Sequence, residues 1–198
     1  TFSSAYSSLY YLNETTDFEG DGSQYIFIGN DSTHEPCSLK ANLLLPAMKG
    51  EDEIQLNIVD EDERVRTHYM SFLATMKALG SYFDYLRENH VWDNTRIIVV
   101  SDHGFDFEVE DGLDLKATMV NPLLLYKDFN SNDRLTIDYT FMTNADTLDL
   151  SKMGLDISNI NPFTGEELKV EKDEVTIYTN GVYTVKDDIF SDSNWKLK

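Results

Sequence analysis

Residues 95–104 read Thr-Arg-Ile-Ile-Val-Val-Ser-Asp-His-Gly, and no other stretch restricts the fold so tightly. Four consecutive β-branched residues, Ile97 to Val100, fit a strand buried on both faces at the centre of a parallel sheet. The run stops where polarity, an imidazole and a permissive glycine arrive together. Ligands of open α/β sheets gather just outside the carboxyl ends of strands, so Asp102 and His103 form a candidate site. They supply an oxygen and a nitrogen donor of the kind a divalent metal takes at about 2.0–2.6 Å. The alternative is an Asp capping the next turn and a His bonded to backbone, and the dipeptide alone leaves both open.

A second loop has the same organisation. Tyr25-Ile26-Phe27-Ile28 reads as a short buried strand, and Gly29-Asn30-Asp31-Ser32-Thr33-His34-Glu35-Pro36 follows at its carboxyl end. His34 there suits a hydrogen bond to an anionic substrate oxygen, or acid catalysis. The ordinary reading is a turn histidine held by Thr33 or Asp31, with Asn30 and Asp31 in Asx turns. Two strand-end loops that each carry a histidine say more than either alone.

The remaining elements follow from periodicity. Tyr6, Leu9, Tyr10, Tyr11 and Leu12 suggest a short helix, and Gly20–Ser23 a turn. Seven acidic residues lie between Glu51 and Glu63, with Asp60 placed to cap a helix. That helix would bury Val65, Tyr69, Phe72, Leu73, Met76, Leu79, Phe83 and Leu86 and run to about Asn89. His68 and His90 then read as structural or surface residues. Val91–Asn94 breaks the helix before the Ile97 strand, giving half of a βαβ unit. Asp106–Asp114 is acidic and irregular. Asn121-Pro122 leads into Leu123–Tyr126, a second interior strand, and Thr143–Gly154 suits a helix capped by Asn144 or Asp146. Asn159–Gly165 has turn chemistry. Val175–Val185 is a β-hairpin whose Asn180-Gly181 suits a type I′ turn.

Composition narrows the partners. The chain has 198 residues, enough for one sizeable domain, and 36 acidic against 16 basic side chains give a net charge of −20. Such a chain repels nucleic acid and anionic lipid headgroups and suits a polycation such as Ca²⁺, Mg²⁺ or Mn²⁺. Cys37 is the only cysteine, so no intrachain disulfide or cysteine-rich zinc site forms, and it reads as a packing residue. No apolar run reaches the roughly 18 residues of a membrane span. The start at Thr1 without a methionine suggests a piece of something longer. Gly-x-Ser-x-Gly, dinucleotide and phosphate-loop glycine motifs and His-Glu-x-x-His are all missing.

Taken in order, Phe-Ile-Gly-Asn-Asp-Ser-Thr-His-Glu-Pro, Leu-Gly-Ser-Tyr-Phe-Asp-Tyr-Leu and Asp-Asn-Thr-Arg-Ile-Ile-Val-Val-Ser-Asp-His-Gly resemble the sulfatase-like branch of the alkaline phosphatase superfamily. Within that branch they look like the membrane-anchored bacterial group that includes lipoteichoic acid synthases and phosphoglycerol transferases. Asn121–Leu125, Phe141–Asp146 and Asn161–Gly165 resemble later segments of the same group, so the similarity spans most of residues 1–165. The resemblance implies that Asp102 and His103 are metal ligands and that His34 contacts the phosphate or sulfate of the substrate. It implies in-line attack by a metal-activated Thr, Ser or formylglycine through a covalent intermediate. The family's nucleophile and an acidic ligand belong to motifs upstream of the Thr-His loop. No Cys-x-Pro-x-Arg signature is present, and no nucleophile is assigned here.

The expectation is therefore the carboxyl-terminal portion of a sulfatase-like catalytic domain over residues 1–198. Residues 1–165 would form the sheet-and-helix part, and 166–198 the hairpin and tail. The expected fold is α/β, a three-layer, mixed and mostly parallel sheet flanked by helices. The parent would be a metalloenzyme, using Mn, Mg, Ca or Zn, that acts on phosphodiester, phosphoglycerol or sulfate esters, including lipid-linked ones. It would work outside the bacterial cytoplasmic membrane, touching it only through amino-terminal helices absent here. The piece alone would be inactive and bind metal weakly, since two ligands hold an ion less well than four. The rivals are a sulfatase-like module without catalysis that serves binding or assembly, and a cytosolic metalloenzyme resembling phosphoglycerate mutase.

Overall fold

The computed structural model describes residues 2–34, 39–40, 45–46, 63–105, 117–162, 165–167, 172–179 and 181–198. Cys37, Asp60, most of the two acidic stretches, and Asn180 lie outside the described residues. The chain divides into two compact units, Thr1–Trp92 and Asp93–Lys198. Among the described residues, no helix is long and apolar enough to cross a membrane.

The first unit is helical. The expected short helix is present as α1 (Phe2–Tyr10), followed by the single turn α2 (Leu12–Thr15). Two-residue strands β1 (Leu39–Lys40) and β2 (Leu45–Pro46) pair antiparallel. The long helix α3 spans Glu63–Glu88, as its period predicts. Its most deeply buried face, however, is not the bulky one. Ala74 and Ala78 pack with Tyr6 and Leu9 of α1, and Ser71 beside them is fully buried. Tyr69, expected in the core, is 43% exposed. Small residues let the two helix backbones approach closely, so the alanine stripe takes α1 while Phe72, Leu73, Met76 and Phe83 are half-buried. Ser71 and Thr75 return their hydroxyls to the carbonyls of Thr67 and Ser71, which keeps these polar groups paired on a buried face. The helix ends as expected at His90, which takes φ 59° while the N–H of Val91 reaches back to Leu86 O at 3.0 Å.

Tyr25–Ile28, expected as a buried strand, forms no ladder among the described residues. Tyr25 is 79% exposed and Phe27 84%. β-Branched and aromatic content favours a strand only where a pleated, half-buried surface receives it, and the described residues provide no such partner here.

The second unit is built from short antiparallel sheets. β3 (Ile97–Val100) pairs with β4 (Leu124–Lys127) in the register Ile97↔Lys127 to Val100↔Leu124. Both strands fall where the sequence placed them, but the pairing is antiparallel and the strands are half-buried. A parallel, three-layer sheet is not what the described residues form. Parallel strands need a crossover, usually a helix. Here the described part of the connection contains the 3₁₀ turn Ala117–Val120, and the Ser101 N–H donates to Leu123 O just past the paired strands.

A 3₁₀ turn (Asn144–Asp146) leads into α4 (Thr147–Lys152), and Gly154 closes it at φ 72°. Thr143, reciprocally bonded to Asp146, caps the 3₁₀ turn, while Asp146, one of the two expected caps, stands at the N-cap of α4 without a side-chain cap bond. Asp149 of α4 is buried, and its Oδ1 has no hydrogen-bond partner. Burial first, and the neighbouring Asp146 second, push its carboxyl above the ordinary range. With the folded-state value raised, the folded chain binds this proton more tightly than the unfolded one. The contribution of Asp149 is therefore best at low pH and is lost as pH rises through its folded value. Asp149→Asn should accordingly stabilise the chain at pH 7 by about 1 kcal/mol. Urea denaturation should show that advantage shrinking as the pH is lowered towards 4.

The hairpin is present as β5 (Val175–Tyr178) and β6 (Val182–Val185), extended by a third strand, β7 (Trp195–Leu197). Tyr178 pairs with Val182, leaving three residues between the strands, so a two-residue type I′ turn is not the connection. Val185 is fully buried, and the Trp195 indole donates to Ile189 O.

Candidate functional site

The loop after β3 is held from three directions. On one side the Ser101 N–H donates to Leu123 O, and the Ser101 hydroxyl accepts from Leu123 N at 2.7 Å. On another, Gly104 N–H donates to Met119 O at 2.8 Å. A side chain at 104 would drive a Cβ into the Thr118 carbonyl and within 2.8 Å of Asn121 O, so the loop seats here only with glycine. From below, the Asn144 side-chain amide donates to the carbonyls of Ser101 at 2.9 Å and Asp102 at 2.7 Å.

This fixed backbone presents two side chains to solvent. Asp102 Oδ1 accepts from the His103 N–H at 3.0 Å, which leaves Oδ2 facing outward. The His103 ring places Nδ1 2.6 Å from Gly104 O. A carbonyl only accepts, so in the neutral ring the proton sits on Nδ1 and the lone pair on Nε2. Nε2 lies 3.7 Å from Asp102 Oδ2. Two ligands about 2.1 Å from one tetrahedral ion are about 3.4 Å apart, so these donors need little adjustment to share a cation. A ring N–H bonded to a backbone carbonyl is also the usual support of a metal-binding histidine. The donor set therefore fits a divalent ion. Asp102 and His103 would hold it, and further ligands are needed to complete a shell. Among the described residues, no group of three or more acidic, His or Cys side chains could hold a metal.

His34 belongs to the first unit and is exposed. Its loop is firmly seated. Asn30 donates to Ala5 O at 2.7 Å, its Oδ1 accepts from Ser32 N, and the Ser32 hydroxyl bonds Thr75 of α3 at 2.8 Å. The Asx reading of Asn30 is thus correct. His34 N–H itself donates to Asp31 O. The structure thus brings Asp102 and His103 together and gives His34 its own anchored loop.

The sequence did not single out two residues that organise this unit, Asn144 at the loop and Arg96 away from it. Asn144 was read only as a helix cap, because its role depends on a loop 42 residues earlier. Arg96 was treated as part of a strand. Its guanidinium reaches Asp128 Oδ1 and the carbonyls of Ser151 and Met153, and it packs over the Phe129 ring. A lone arginine entering an apolar strand was the available signal.

The sulfatase family model matches residues 5–146, which include His34, Asp102, His103 and Asn144. No curated relative and no solved structure matches the chain.

Proposed function

Because the chain belongs to the sulfatase family, we propose that it contributes metal-ligand and substrate-contact residues to an ester-cleaving metalloenzyme. Its chemistry is hydrolysis or transfer at a phosphodiester, phosphoglycerol or sulfate ester, with lipid-linked esters included. The enzyme works on the outer side of a bacterial cytoplasmic membrane. Asp102 and His103 hold a divalent cation, and His34 contacts a non-bridging oxygen of the ester.

One observation carries this reading. The His103 ring is locked by Gly104 O so that Nε2 and the Asp102 carboxylate share one open face. When bound, the ion acts as a Lewis acid on the ester and its nucleophile. The chain's own residues do the rest. Ser101, Gly104 and Asn144 hold the donors still, and the proton on Nδ1 keeps the Nε2 lone pair outward. His34 offers a donor to an oxygen carrying negative charge. No described residue is assigned as the nucleophile or as a further ligand.

The test is site-resolved metal binding. The chain has four histidines, so imidazole resonances are few enough to assign. Substoichiometric Mn²⁺ should broaden His103 before His68 and His90. Asp102→Ala should weaken that effect at least tenfold, and His103→Ala should remove the early broadening. Equal broadening of all the histidines, or an unchanged response in Asp102→Ala, would remove the metal assignment. Mn²⁺ binding is expected in the millimolar range, and a tight calorimetric isotherm would contradict the two-ligand reading.

A further inference from the structure

We propose that Asn144, held through Asp146 by Lys172, is the positioning residue for the Asp102–His103 loop. This inference rests on the metal reading of that loop given above.

Asn144 is matched to its task by valence. Its amide has two N–H donors, and they meet two carbonyls, Ser101 O at 2.9 Å and Asp102 O at 2.7 Å. The contact thus grips the backbone on both sides of the peptide that carries the Asp102 side chain. No hydroxyl or carboxylate at 144 makes both bonds, because an ionised carboxylate offers no donor.

Asn144 is itself locked in place. It opens a 3₁₀ turn whose ends are bound together, since the N–H and hydroxyl of Thr143 both donate to Asp146 Oδ2, at 2.6 and 2.9 Å. The other oxygen of Asp146 is ion-paired with Lys172 Nζ, and Asp146 is only 3% exposed. Lys172 is fixed in turn by its backbone N–H, which donates to Phe141 O at 3.1 Å. Hydrogen bonds therefore join Lys172 to Asp146 and Asp146 to Thr143, the peptide bond joins Thr143 to Asn144, and the Asn144 amide bonds Ser101 and Asp102. The family match stops at Asp146, whereas Lys172 lies beyond it. The ligand loop is thus braced by a residue outside the matched stretch.

The experiment uses the whole chain, Mn²⁺ as the probe and ¹⁵N resonances of the histidine rings as the readout. Asn144→Asp keeps the side-chain shape and removes both donors. It should weaken the Mn²⁺ response of His103 about tenfold or more. Without metal it should also alter the ring ¹⁵N shifts that report the Nδ1–H form. Lys172→Met should change both readouts in the same direction by a smaller amount. Arg96→Lys, which destabilises the same unit away from these bonds, should leave the His103 response unchanged. If folded Asn144→Asp and Lys172→Met both respond to Mn²⁺ like the parent, the positioning role is overturned. If Asn144→Asp fails to fold, Lys172→Met alone decides by the same criterion. A chain in which Asp102→Ala and His103→Ala leave Mn²⁺ binding unaltered fails the metal reading instead. Loss in those two variants with a parental response in Asn144→Asp isolates the failure to this inference.

Discussion

Gly104→Ala is expected to cost the chain about 3 kcal/mol and to unseat the Asp102–His103 loop, because overpacking here meets backbone rather than a yielding side chain. The new methyl would occupy the space of the Thr118 carbonyl, with Asn121 O close by. Both carbonyls flank Met119, whose O accepts the Gly104 N–H, so a shift of either strains that bond. The Gly104 carbonyl that orients the His103 ring would shift with the backbone. Two measurements check this. The urea midpoint should fall strongly, and the early Mn²⁺ broadening of His103 should vanish in whatever fraction remains folded. A variant with parental stability and parental response would show that the loop seats differently from the close approach described.

Arg96→Met is the second large effect, expected at about 2–4 kcal/mol, because it removes several charge-assisted hydrogen bonds together. Methionine keeps much of the apolar stem but leaves the carbonyls of Ser151 and Met153 without their donors, and Asp128 without its cation. Arg96→Lys should recover only part of the loss, since one ammonium cannot reach the three acceptors in the plane that the guanidinium spans. The pH dependence has a definite sign. Burial acts to raise Asp128, but hydrogen bonds from Arg96 and the Phe129 N–H outweigh it, and the carboxyl ends below its usual value. Its stabilising contribution is therefore present above the ordinary carboxylate range and is lost as pH falls through the lowered folded value. Urea midpoints of the parent and Arg96→Met should accordingly converge at low pH. A constant gap down to pH 2 would mean that the pair with Asp128 contributes nothing.

These residues also show what was legible in the sequence. The Ile97–Val100 strand, the Glu63–Glu88 helix, the 175–185 hairpin and the Asp102–His103 pair were readable because each is written locally, as a period or a dipeptide. The direction of strand pairing was not. It depends on how residues 101–123 return, and four β-branched residues fit a parallel or an antiparallel neighbour equally well. The buried face of α3 was read only in part, since Leu86 is buried and Leu79 packs on the cluster while Tyr69 is exposed. Periodicity favours the largest apolar residues, while the docking of α1 selected the small ones, Ala74 and Ala78. At the site, ligand candidates are visible as chemistry, but Asn144 and Gly104 act through backbone atoms far along the chain, which no local pattern records. Whether His34 serves the same centre belongs with the function proposed above.

The unpaired apolar stretches have a consequence for how copies of this chain meet. Tyr25–Phe27 in one unit and Leu135, Ile137 and Tyr139 in the other expose large apolar side chains outside any strand or helix, with Tyr139 88% exposed. Exposed apolar side chains of this size favour contact between molecules. What opposes that encounter is the charge of −20 carried by each copy. That repulsion reaches only about 8 Å at physiological ionic strength and about 3 Å at 1 M. The acidity therefore amounts to a colloidal barrier whose reach is set by the surrounding salt rather than by the fold.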